Sequence, residues 1–294
     1  MIQRLLVFLI LTTTLACQNS KQNTSNNKEK MSKTTSNSIN VDSLATQLIS
    51  KVKSKGFKVI ADVDHAVGAA KVDLQLRPTR TLIFGNPLGG TKLMQQDQTI
   101  GIDLPLKILI WEDENGASNL SYFNGSELTS RYGITEPQAV IEKVNGALAD
   151  FTGVTKTNLE TKNIKDRLIT KQSEFDADAT FLRLKETVTS KGLTIMAEVS
   201  HDKAAASVDL ELRPTRLLIF GNPKVGTLLM QSNQEIGLDL PLKVLVHENE
   251  NGDVFVSYFD ATFLAERHNT TDKAEVITKV NGALNGITDV VISE

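Results

Sequence analysis

The sequence predicts two tandem α+β domains, each an antiparallel sheet covered on one face by helices, packed together as an internal pseudo-dimer. Three observations lead there. The chain repeats itself end to end, with Arg77-Pro78-Thr79-Arg80 recurring as Arg213-Pro214-Thr215-Arg216, an offset of 136 residues. Within each copy the apolar spacing alternates between helical and strand periods. Asn115-Gly116 and its counterpart Asn251-Gly252 separate apolar runs as hairpin signals.

The same offset, without a gap, carries Lys55-Gly56 onto Lys191-Gly192, Phe84-Gly85-Asn86-Pro87 onto Phe220 to Pro223, Asp103 to Lys107 onto Asp239 to Lys243, and Val144-Asn145-Gly146 onto Val280 to Gly282. A period longer than the roughly 20–50 residues of solenoid repeats makes each copy a complete domain with its own core. The domains are expected over 36–154 and 169–294, with residues 155–168 as linker.

Each copy opens with a helix whose apolar face carries Leu44, Leu48 and Val52, matched by Leu184 and Val188, and closed by Gly56 or Gly192. A strand follows in which Phe57, Val59, Ala61 and Val63 alternate with Lys58, Ile60 and Asp62, as Leu193, Ile195, Ala197 and Val199 do in the second copy. A short Ala-rich segment begins at His65, and Thr81 to Phe84 form the next strand. Asn86-Pro87 reads as an N-cap with proline at the first helical position. Ile108 to Glu112 and Leu120 to Phe123 are the arms of a hairpin with a type I′ turn, and a helix carrying Val140, Ile141, Val144 and Leu148 ends the copy.

The amino terminus reads as an export signal. The apolar run Leu5 to Leu11 follows Arg4 and is too short to span a hydrocarbon core, which takes roughly 20 residues. Ala16 directly before Cys17, the only cysteine, resembles a bacterial lipobox, although Thr14 stands where that pattern usually has Leu. Acylation of Cys17 is expected to anchor the protein, and residues 18–35, rich in Gln, Asn, Ser, Lys and Thr, form a polar tether. The expected location is the bacterial envelope, facing the periplasm, with the membrane engaged only through the lipid.

The string Leu-Ile-Phe-Gly-Asn-Pro-x-x-Gly-Thr-x-Leu-Met-Gln over residues 82–95, with Asp103 to Lys107 and Ser121-Tyr122, resembles the bacterial domain-of-unknown-function 302 family across about 36–154 and 169–292. The resemblance implies a sheet-and-helix fold similar to the TATA-binding-protein class and single-copy relatives able to pair as dimers. It implies no activity.

Composition narrows function further. The chain is 40% hydrophobic and 23% charged with a net charge of −3, so nothing in the global balance favours nucleic acid. One cysteine excludes an intrachain disulfide, and no His-Glu-x-x-His spacing marks a metal site; no cofactor is expected. The leading reading is a non-catalytic module that binds a small ligand or an envelope partner in the cleft between the halves, as a monomer with internal pairing.

Its candidate ligand-binding residues are His65, Arg77, Asn86, Thr91, Lys107 and Tyr122, with their counterparts His201, Arg213, Asn222, Thr227, Lys243 and Tyr258. The segment from Gly85 to Thr91, between strand and helix, could offer backbone N–H groups to an anion, with Arg77 and Arg80 completing the site. Its structural alternative is capping by Asn86 with close packing at Gly90. Lys107, Leu109 and Trp111 share a strand face that is either a ligand wall or a solvated surface. The alternative function is acid–base catalysis by His65 or His201 with Glu112/Glu248 or Tyr122/Tyr258 as partner.

Overall fold

The structure, a computed structural model, describes residues 34–36, 39–154, 164–270 and 272–294. The expected signal with Cys17, the tether up to residue 33 and residues 155–163 of the linker lie outside them. The first copy runs β1 (Thr34–Ser36), α1 (Val41–Ser54), β2 (Lys58–Asp64), α2 (His65–Ala70), β3 (Thr79–Gly85), α3 (Pro87–Met94), a 3-10 turn (Gln98–Ile102), β4 (Leu106–Glu112), β5 (Ser118–Ser121), α4 (Gly125–Ser130) and α5 (Gln138–Thr152). The second repeats it: β6 (Leu168–Ser173), α6 (Ala177–Ser190), β7 (Thr194–Ser200), α7 (His201–Ala206), β8 (Thr215–Gly221), α8 (Pro223–Ser232), a 3-10 turn (Gln234–Leu238), β9 (Leu242–Glu248), β10 (Val254–Phe259), α9 (Ala261–Arg267) and α10 (Ala274–Ile292).

Two antiparallel five-stranded sheets result, in the orders β1-β5-β4-β3-β2 and β6-β10-β9-β8-β7. The predicted α+β class and tandem arrangement hold. The first strand of each copy is short of apolar residues, with none in β1 and only Leu168 and Ile169 in β6, and the sequence pattern does not signal it. β1 draws the end of the polar tether into the sheet against Leu120, Asn119 and Ser118.

Local chemistry explains the helices. Asn40 caps α1 by accepting from Ser43 N at 2.8 Å, Asp42 lies at the positive end and Lys51 and Lys53 at the negative end, and Val41, Ala45, Leu48 and Val52 face inward. The left-handed Gly56, at φ +77°, ends the chain's exit from α1. The hairpin between β4 and β5 forms, but its turn is not type I′. Gly116 alone has positive φ, Gly116 N donates to Asp113 O, and Asp113 N pairs with Ala117 O. This is a three-residue loop, with a type I turn followed by a left-handed glycine. The Asp113 carboxylate selects it by accepting from Asn115 N and Ala117 N, and Asn249 does the same in the second copy.

Each central strand pair is buried on both faces. Phe84, at one side of the first sheet, packs edge-on against Phe57 and against Phe151 of α5. Leu109, on the opposite face, meets Gly237 from the second copy's 3-10 turn. Gly101 in turn sits over Thr215 and Leu245. Each copy therefore closes its partner's open sheet face, and Lys107, Leu109 and Trp111 line this join instead of a solvated surface. Strand β2, at the sheet edge beside β7, is half-buried along most of its length rather than alternately buried, and a bulge interrupts it between Val59 and Ala61.

The sheets stay separate, yet the core is shared. Leu82, Ile108 and Leu109 belong to one apolar cluster with Leu217, Ile219 and Leu245 of the other copy. Leu109, Leu217 and Leu245 have no exposed area, and burying each stabilises by roughly 1.5–3 kcal/mol. A self-sufficient core for each half was the expectation; the structure gives each half its own helix-side core and a second core held in common.

Candidate functional site

Polar groups fix the register of the join. Gln234 Nε2 donates to Thr79 Oγ1 at 2.8 Å while its carbonyl accepts from Arg77; Gln98 Nε2 reaches Thr215 Oγ1 at 2.5 Å and its carbonyl accepts from Arg213 at 3.3 Å. His65 Nε2 lies 2.9 Å from Thr81 Oγ1, whose hydroxyl donates to Gly237 O. The second copy has Leu217 where the first has Thr81, so His201 Nε2 bonds Gly101 O directly at 3.2 Å. A carbonyl acceptor requires Nε2–H, which fixes the neutral tautomer of His201. Burial pushes both imidazoles down to a pKa of about 4.

A buried ionic centre crosses the pseudo-axis. Lys243 Nζ lies 3.1 Å from Asp103 and 3.3 Å from Asp239, joining one carboxylate from each copy. Asp103 also accepts from Tyr132 at 2.9 Å and has Arg131 at 3.6 Å; Asp239 accepts from Arg267 at 2.9 Å and pairs with His268 at 2.8 Å. Burial alone would raise the Asp103 carboxyl, but Lys243, Arg131 and Arg267 outweigh it and hold it well below the usual range. Arg267 and Lys243 do the same for Asp239. Lys107 is the matched lysine of the first copy. Burial and the Lys243 charge push its pKa well below that of an ordinary lysine, whereas Asp103 and Asp239 overcome burial and raise Lys243. Equal sequence thus yields opposite pKa shifts at the two lysines, down at Lys107 and up at Lys243.

Two cavities flank this centre, each built by both copies. The first, about 720 Å³, lies between α3 and α5 of the first copy and α7 of the second, and its lining includes Asn86, Thr91, Met94, Leu104, Val140 and His201. Its counterpart, about 220 Å³, lies between α8, α10 and the start of α2, lined among others by His65, Asn222, Thr227, Met230, Leu240 and Ile287. Small-molecule sites occupy roughly 300–1,000 Å³. Only the first has that room.

The predicted residues divide accordingly. His201, Asn86 and Thr91 share the first cavity and His65, Asn222 and Thr227 the second, the histidine always coming from the other copy. Arg77, Arg213, Lys107 and Lys243 serve the join. Tyr122 donates to Val154 O at 2.9 Å, and Tyr258 is buried on β10 with Lys171 over its ring. The acid–base pairing is not formed: His65 bonds Thr81 and His201 bonds Gly101, with no carboxylate or phenol among their hydrogen-bond partners.

Nor are the N–H groups at the start of α3 open to an anion. Asn86 Oδ1 accepts from Leu88 N and Gly89 N, and Asn86 O accepts from Gly90 N. Arg80 is engaged with Asp62 and Asp42. A Cβ on Gly89 or Gly90 would meet neighbours only at 3.8 Å, so these glycines leave space instead of permitting close packing.

What sequence reasoning missed is Arg131, Tyr132, Arg267 and His268, which complete the ionic centre from the ends of α4 and α9. The repeated Arg followed by a changed residue, Tyr132 against His268, was the available signal. The cavity-lining lysines were missed as well.

Comparison with known proteins places the chain. A segment of 116 residues is 37% identical to part of a protein named Fluoride-specific ion channel FluC 1 from Brucella suis biovar 1 (strain 1330), covering 40% of this chain and 46% of that protein. The same identity and extent hold for FluC 1 of Brucella abortus biovar 1 and FluC 2 of Brucella melitensis biotype 1, with 43% of each covered. The chain spans less than half the length of these relatives, and no helix among the described residues is long and apolar enough to cross a membrane. A solved structure, that of an uncharacterized conserved DUF302 protein from Bacillus stearothermophilus, is 21% identical, with a TM-score of 0.40 over 42% of this chain and 98% of that one. The family model described as "Domain of unknown function DUF302" matches twice, at residues 31–151 and 169–287, once for each copy, and the chain belongs to that family.

Proposed function

We propose that this protein is a non-catalytic binding module whose ligand is a small, largely apolar molecule held in the first cavity. The observation that carries the reading is the cavity itself, about 720 Å³ and walled by α3 and α5 on one side and α7 on the other. A volume of that size between two rigidly joined units is where small-molecule sites concentrate. Met94, Leu104 and Val140 supply an apolar wall, and Thr91 supplies a polar point: its hydroxyl is buried and has no hydrogen-bond partner. A buried hydroxyl gains when a ligand atom or water satisfies it.

The test is a titration of the full chain with Nile red, a neutral dye that brightens in apolar surroundings. Saturable one-to-one binding is expected. Ala204→Trp, which puts a bulky ring on the α7 wall, should abolish it while leaving the thermal midpoint unchanged. Absence of saturable binding to the native chain overturns the reading.

We also propose that the module works at the bacterial envelope, held by acylated Cys17 and facing the periplasm. Support comes from the apolar run Leu5 to Leu11 and Ala16-Cys17. Labelled palmitate should enter the native chain and not Cys17→Ser; a cytosolic, unlabelled native chain contradicts it.

A further inference from the structure

The two cavities are built alike but charged differently. Lys55, Lys58, Lys92, Lys143 and Lys203 all line the first, with Glu198 as the one acidic residue of its lining among the described residues. The chain as a whole is acidic, at −3, so this positive rim runs against the background. The carboxylates around it are already used: Glu198 pairs with Lys185 at 2.9 Å, and Asp150 with Lys55 at 3.3 Å. Among the described residues, Lys58, Lys92, Lys143 and Lys203 form no ion pair.

The internal repeat provides a control for what packing alone requires. Positions matched to Lys58, Lys92 and Lys203 hold Thr194, Leu228 and Val67. The second cavity is lined by one lysine, Lys279, and one acid, Asp64. The fold therefore tolerates uncharged residues at these three places. Lysines gathered on the lining of one cavity create a field that a counter-charge can satisfy, and that field fades over a Debye length of roughly 8–10 Å in ordinary salt.

We infer that the first cavity takes an anionic amphiphile, an apolar body with a single carboxylate or phosphate head, and that the second does not. The apolar body lies along Met94, Leu104 and Val140, and the head meets Lys92 and Lys203, which approach from opposite copies. Lysine suits this role as a compact, mobile charge that adapts to either head group. The inference rests on the binding reading above and adds the ligand's class to it.

The experiment displaces Nile red from the full chain with dodecanoate, dodecyl phosphate, dodecanol and dodecyltrimethylammonium. Both anions should compete about tenfold more strongly than dodecanol, a ratio worth about 1.4 kcal/mol, and the cation least. Lys92→Leu with Lys203→Val installs at each place the residue that the other copy holds at the matched position. It should bring both anions to the level of dodecanol without moving dodecanol itself, and salt should act likewise. A preference for dodecanoate over dodecyl phosphate, or the reverse, identifies the head group within the inferred class. Equal competition by all four compounds, or an anion preference that survives the double variant, overturns the inference and leaves the binding reading standing. If dye and all four compounds fail to bind, the binding reading itself falls.

Discussion

The lysine pair at the join gives the sharpest test of how the halves are held together. Lys243 holds Asp103 and Asp239 together at 3.1 and 3.3 Å, while burial and the Lys243 charge push the pKa of Lys107, its twin, well below that of an ordinary lysine. Lys107→Met exchanges a lysine whose charged form is disfavoured for a side chain of similar volume and should cost less than about 1.5 kcal/mol. Burial is the larger cause of the lowered Lys107 pKa; Lys243→Met removes the second, the neighbouring cation, and the attraction of Asp103 and Asp239 remains. Lys107 is then expected to take over the bridge, so this loss also stays below about 1.5 kcal/mol. The double variant leaves both carboxylates without either ammonium and should lose about 3–5 kcal/mol, the cost of stripping a buried partner. The loss in the double variant should therefore exceed the sum of the two single losses, a positive coupling between the lysines. At roughly 2–4 °C per kcal/mol for a chain of this size, calorimetry should show drops below about 6 °C for either single variant and about 6–20 °C for the pair. If Lys243→Met alone costs the full amount and Lys107→Met adds nothing, Lys107 cannot take over the bridge and the reasoning fails.

Three further outcomes follow from the join. Gly237→Ala places a Cβ 2.7 Å from Leu109 Cδ1 and should cost about 1–3 kcal/mol in urea unfolding, more than Gly101→Ala, whose nearest contact is 3.2 Å; the opposite order refutes the packing. His65 and His201 stay neutral down to a pH of about 4 when folded, while an unfolded imidazole protonates near 6.5. The unfolded chain binds the extra protons between those values, so stability falls on acidification from about pH 6.5 to 4, and His65→Gln with His201→Gln should flatten that slope. A thermal midpoint equally steep in the double variant contradicts it. A protease site placed within residues 155–163 should yield two fragments that co-elute after cleavage, held by the shared core around Leu109, Leu217 and Leu245; separation at neutral pH contradicts a common core.

Much of this architecture was legible because periodicity and capping are local. Leu44, Leu48 and Val52 define a helix face whatever lies opposite, and Asn86-Pro87 starts a helix through its own backbone. The turn at Asp113 was misjudged because an acid three residues before the glycine competes with the Asn-Gly preference, and hydrogen bonds decide between them. Strands β1 and β6 carry few apolar residues and gain their place from pairing with β5 and β10. The site was legible only in part. Asn86, Thr91 and His201 were named, but their meeting depends on how one copy docks on the other, which no spacing within a copy encodes. For the same reason Lys107 and Trp111 read equally as a ligand wall or a wet surface, whereas Trp111 is buried in the core and Lys107 stands half-buried beside the carboxylates of the ionic centre.

Co-crystals of the full chain with dodecanoate test the central claim most directly. The account predicts an alkyl chain between Met94, Leu104 and Val140, with its carboxylate at Lys92 or Lys203 and nothing in the counterpart lined by Met230 and Leu240. Occupancy of the smaller cavity instead, or an empty larger one at saturating ligand, would contradict it.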